Sequence, residues 1–225
     1  MKQKTTQTVV LTKHKKTRKE KILHLVQLAI LTALVVVLQA LGSFIKIGPL
    51  PMSLVLVPIV IGACLLDPAS GAILGFVFGL ITMIMGITGA DIVSHVLFEA
   101  SPFWFIFLCL LKATAAGLCA GLVYRGLGAL FGGKKLLLRT VLASITAPIV
   151  NTGIFVAGML LFFFETAESF PTLLPQIFGG MKENAFEMIF LVLAGLNFIG
   201  EFVVNLVFSP AMVRIIDVVK KKLHF

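Results

Sequence analysis

Apolar positions run in long blocks along most of this chain, and polar positions gather between them. A helix needs about 20 residues, rising about 1.5 Å each, to cross hydrocarbon. Six blocks meet or approach that length: Ile22–Ile45, Met52–Leu66, Ser70–Thr88, Phe103–Tyr124, Thr140–Phe164 and Ala185–Ile216. The pattern therefore predicts an all-α, polytopic membrane protein with six transmembrane helices. The second block is short and contains Pro58, so a tilted or broken helix is expected there. The last exceeds what a bilayer requires, so its ends should emerge or it should tilt. No block alternates with the period of a barrel strand. The domain plan is a basic N-terminal tail (1–21), a membrane domain (22–217) and a basic C-terminal tail (218–225).

Composition supports the same class. Of 225 residues, 59% are apolar and 13% charged, against about 45–50% and about 25% in soluble domains. A water-soluble monomer and a disordered chain are both excluded. The formal charge of +9 would suggest nucleic acid in a soluble protein, so its placement decides the matter. Eight basic residues lie in Met1–Lys21, four more are Arg125, Lys134, Lys135 and Arg139, and another four are Arg214, Lys220, Lys221 and Lys222. With six spans, all three groups fall on one side, leaving Lys46 and Lys182 opposite and Lys112 inside a span. By the positive-inside rule, both termini are cytoplasmic. Asp91, Glu99, Glu165, Glu168 and Glu183 collect on the other side. The tail lacks aromatic or motif support for nucleic acid, and the apolar run after it is too long for a signal peptide. It reads as a topology anchor against anionic lipid of the cell membrane. Cys64, Cys109 and Cys119 all lie in apolar blocks and read as small buried hydrophobes.

Few motifs suggest chemistry. Gly128–Lys135 comes within one residue of a phosphate-binding loop, but Lys135 replaces the magnesium-binding hydroxyl and no strand precedes it. A cytoplasmic turn is expected, and the chain by itself should not hydrolyse ATP. His95 and Glu99 are spaced i, i+4 with Asp91 near, too few ligands for a metal; an outer loop or polar rim is expected. No hydrolase motif is present, so the chain reads as no enzyme, with neither cofactor nor metal of its own.

The polar residues within the spans say more. Lys112 lies near the bilayer midplane, where a lysine costs at least about 2.5–3.5 kcal/mol unless paired or wet. Asn197, Glu201 and Asn205 follow one another at four-residue intervals and share a helix face, and Asn151 lies mid-span in the fifth helix. Helices four, five and six thus offer polar groups at similar depth, which points to a polar cavity with Lys112 and Glu201 as a candidate ion pair. Alternatively, these groups simply lock helices together. Ala29 and Ala33 form A-x-x-x-A on the first helix, with Ala40 two turns on, a face that lets another backbone approach closely. Gly71, Gly75 and Gly79 repeat that spacing in the third helix and are assigned to internal packing.

The chain resembles the substrate-binding S components of energy-coupling factor (ECF) transporters, importers of vitamins and related micronutrients. The likeness rests on size, six helices, the Ala29/Ala33 motif and the stretch Pro58–Ala63 followed by Asp67-Pro68-Ala69-Ser70-Gly71-Ala72 and Gly75. That turn often reads G-P-x-x-G-A in the family, so Asp67 stands where glycine is usual. The resemblance implies capture of a small molecule from outside, in a cavity formed mostly by helices four to six. It further implies docking through Ala29 and Ala33 on a transmembrane T subunit joined to two ATPases, which use the ATP. Lys112, Asn151, Asn197 and Glu201 are the expected ligand contacts, with Lys46 and Trp104 closing over them. Trp104 is equally readable as an interfacial anchor. Lys112 favours an anionic compound such as pantothenate, and Trp104 a flat ring such as riboflavin. The competing readings are a membrane scaffold resembling the cell-shape protein MreD and an intramembrane enzyme.

Overall fold

The computed structural model describes residues 17–42, 46–47, 50–51, 54–178 and 184–223. Most of the basic N-terminal tail, Lys182, Glu183 and the start of the second block at Met52 lie outside the described residues. The long helices are α1 (Arg18–Gly42), α3 (Pro68–Ile87), α5 (Pro102–Leu130), α6 (Leu136–Phe162) and a last helix built in three parts. Those parts are α10 (Ala185–Glu187), a π-helical stretch (Met188–Gly195) and α11 (Leu196–Leu223). All five are long and apolar enough to cross a membrane. This is a multi-pass membrane protein. Between them lie the short helices α2 (Leu56–Leu65), α4 (Ile92–Ala100), α7 (Phe164–Glu168), α8 (Phe170–Leu173) and α9 (Pro175–Phe178). A two-residue hairpin of β1 (Lys46–Ile47) and β2 (Leu50–Pro51) pairs Lys46 with Pro51.

The second block is shorter than the sequence suggests, because α2 has only 10 residues, about 15 Å of rise. It touches α1, α3, α5, α6 and α11, and eight of its residues are buried. A helix that is apolar all round suits a position walled by protein, where no lipid thickness has to be matched. Pro58 does not break it. The proline lies in the first turn, where backbone N–H groups have no intrahelical acceptor to lose.

The glycines of the third block are explained by α5. A Cβ on Gly71 would lie 2.6 Å from the Gly117 carbonyl oxygen, and one on Gly79 2.6 Å from that of Cys109. Gly75 faces the Ala113 carbonyl still more closely. Small residues on both helices thus bring two backbones into contact, and α3–α5 is the most extensive helix pairing in the fold. Two apolar clusters fill the bundle, one around α2 and one between α5, α6 and the π-helical stretch.

At one end of the bundle, the His24 imidazole of α1 contacts Asp67, Arg139 of α6 reaches Tyr124 of α5, and Lys220 of α11 reaches the same tyrosine. The described ends of the chain therefore lie at the same end, as an even number of crossings requires. Gly132 and Gly133 adopt positive φ between α5 and α6, so the Gly128–Lys135 stretch is the last turn of α5 and the helix-to-helix turn that follows it. The region of His95, expected as an outer loop or a polar rim, is the helix α4. The His95 imidazole is bonded to the Gly86 carbonyl and lies 3.8 Å from Glu99.

Candidate functional site

A cavity of about 90 Å³ lies within the bundle, toward the α4 end. α11 supplies Asn197 and Glu201, α6 supplies Asn151, Thr152 and Phe155, and α5 supplies Lys112. These three helices correspond to blocks six, five and four. The rest of the wall includes Gln39 from α1, Thr82 and Met85 from α3, Ser94 from α4 and Asp91 at the start of that helix, where a polar rim was one of two expectations. Gln39 was a legible signal, one of two amides in an apolar span. Ser94 was not, because nothing in its spacing indicates that α4 folds across the bundle.

Glu201 is 1% exposed and anchors the polar side. Asn151 donates from Nδ2 to its two carboxylate oxygens at 3.0 and 3.4 Å, and Asn197, one turn earlier on the same helix, donates at 3.3 Å. Asn205 is buried but turns to the Glu201 backbone carbonyl at 2.8 Å and does not line the cavity. The expected Lys112–Glu201 ion pair is not formed. Among the described residues no carboxylate lies within 4 Å of Lys112, whose ammonium lies 4.9 Å from the centre of the Phe155 ring. Two amides already satisfy the carboxylate, and the aromatic face gives the cation a weaker partner. Two buried acceptors in the same wall, Asn151 Oδ1 and Thr152 Oγ, have no hydrogen-bond partner among the described residues. The cavity thus presents a cation without a carboxylate, an amide-bonded carboxylate and unfilled polar atoms, set among Phe78, Val93, Leu97 and Phe155.

The matching family model is that of the ECF transporter substrate-specific component, over residues 23–213. The chain belongs to this family. The match runs from the start of α1 deep into α11, so it takes in every wall of the cavity. No curated protein matches the chain. Members of the family are transport-binding subunits, and this S component is a substrate-specific subunit of an ECF transporter. The match gives the MreD-like alternative no support.

The other expected positions fall as follows. Trp104 stacks on Phe162 with ring centres 3.8 Å apart, on the outer surface of α5 and α6, and does not line the cavity. That placement matches an interfacial anchor better than a lid over the ligand. Lys46 is described only in the backbone pairing of the hairpin. Ala29 and Ala33 are both exposed. Successive helical residues turn by about 100°, so Ala29, Ala33 and Ala40 share a face roughly opposite the buried Leu31, Val35 and Gly42. Among the described residues no cluster of three or more metal-binding side chains occurs.

Proposed function

We propose that this S component captures a small anionic micronutrient of the vitamin class from the outer side, with Lys112 as its counter-charge. The observation that carries the reading is the wall that brings Lys112, Asn151, Asn197 and Glu201 together while leaving the lysine without a carboxylate. A ligand carboxylate or phosphate completes that arrangement, and ligand hydroxyl or amide hydrogens answer Asn151 Oδ1, Thr152 Oγ and Glu201. The cavity is smaller than the roughly 300–1,000 Å³ of most ligand pockets. Capture therefore involves parting of the walls, with α4 and the hairpin as the outer parts available to move. Exposure of the Ala29/Ala33 face supports docking of α1 on a T subunit served by two ATPases.

The test is native mass spectrometry of the gently purified full chain, followed by binding of the molecule it retains. Lys112→Met should lose that molecule while keeping the helical signal. Ala29→Trp with Ala33→Trp should retain binding and lose co-purification with the T subunit. Retention of the ligand by Lys112→Met at unchanged affinity would sink the assignment of the lysine.

A further inference from the structure

The basic end of the bundle holds a second and larger hollow, about 330 Å³, between the ends of α1, α2, α5, α6 and α11. We propose that it binds a phosphate group, held by Arg125, Arg139 and Lys220. The site is independent of the midplane cavity and of what that cavity carries.

Tyr124 organises the site. It is 2% exposed, and two cations lie against its ring: the Arg139 guanidinium at 4.2 Å and the Lys220 ammonium at 5.0 Å from the ring centre. Arg139 donates from Nε to the Tyr124 carbonyl at 3.2 Å and from Nη1 to the Gly133 carbonyl at 3.3 Å. Lys220 donates to the Tyr124 hydroxyl at 3.0 Å. These bonds fix both cations; Arg139 Nη2 packs against Gly128 and makes no hydrogen bond among the described residues, and Lys220 keeps hydrogens to donate elsewhere. Arg125, next to Tyr124, also lines the hollow.

No carboxylate balances this charge. Among the described residues none lies within 4 Å of the three cations. Glu20, the carboxylate in the wall, accepts the Thr17 N–H at 2.8 Å. His24, also in the wall, is engaged by Asp67 and Ser70. Three cations from three helices, two of them positioned in advance by a buried ring, suit the several oxygens of a phosphate, and arginine forks match it bidentately. The volume falls within the usual range of ligand sites. By the distribution of basic residues, this end faces the anionic leaflet, where basic pockets between helices take lipid head groups. A head group and a soluble phosphate offer the same chemistry.

Tyr124 is the sole tyrosine in the chain, so fluorotyrosine incorporation gives one ¹⁹F resonance inside the site. The full chain in neutral detergent is titrated with inorganic phosphate, and with chloride at matched ionic strength. In a second arm it is placed in phosphatidylcholine vesicles with or without phosphatidylglycerol. The resonance should shift saturably with phosphate, with phosphatidylglycerol, or with both; a response to the lipid alone identifies the head group as occupant. Arg125→Gln with Lys220→Gln should weaken the response about tenfold or more, since each charged hydrogen bond lost is of that order. Lys134→Gln with Lys222→Gln, which removes the same charge from exposed positions, should not. Arg125→Gln alone covers the case of a misfolded double variant, because Arg125 makes no internal bond among the described residues. No shift with either probe, an equal shift with chloride, or equal weakening in both charge pairs would overturn the proposal and leave Tyr124 as a helix clamp.

Discussion

Asp67 stands at the turn into α3, and the structure gives it two tasks. Its Oδ1 accepts the Ser70 N–H at 2.7 Å and the Ser70 hydroxyl at 2.8 Å, capping α3, with Pro68 preset for the first turn. Its Oδ2 meets the His24 imidazole at 3.1 Å, tying α1 to that cap. Burial alone would raise the carboxyl's pKa, but the two Ser70 bonds and His24 outweigh it and hold the pKa below its ordinary 3.8. A depressed pKa stabilises the fold above the ordinary value, and that stabilisation is lost as pH falls through the lowered one. Asp67→Ala should therefore cost about 1–2 kcal/mol near neutral pH. Thermal unfolding in detergent should show the charge-dependent part of that gap closing in acid, and a gap that widened in acid would contradict the argument. At this scale the sequence conveyed depth better than direction. The four-residue spacing of Asn197 and Glu201 placed them on one face. Lys112 shared their depth, but its distance from Glu201 depends on how helices turn about their own axes, which spacing along one helix does not record.

Whole elements were legible where lipid imposes a length, and obscure where protein walls replace lipid. The five long helices stood out because about 20 apolar residues are needed to span. Surrounded by five other helices, α2 has no such requirement and ends early. The helical form of α4 was not legible, since nine residues with three polar ones carry little periodic signal. The glycines of α3 were readable as a packing stripe, and their partner proved to be the matching small residues of α5. Gly75→Leu should destabilise the bundle by about 1–3 kcal/mol or more, because the facing group is backbone and cannot turn aside. Gly153→Leu is the comparison, since nothing lies within 4 Å of a Cβ there. Thermal unfolding of the two variants side by side checks this, and equal loss would refute the contact as the cause.

For the molecule as a whole, charge and helix count predict a sidedness with both termini cytoplasmic. With Cys64, Cys109 and Cys119 first changed to alanine, a membrane-impermeant thiol reagent should label Glu99→Cys on intact cells and spare Lys222→Cys until the membrane is opened. The reverse labelling would invert the orientation. The long C-terminal helix adds a whole-molecule property that no composition reveals. Its stretch Met188–Gly195 is wound with bonds five residues apart, just before Asn197 and Glu201. Such winding stores surplus residues like slack on a spool. Letting out a single residue turns everything on one side of it by about 100° relative to the other. Such a turn would carry Glu201 out of reach of Asn151, which sits on a different helix, so the bond between them holds the winding in its present register.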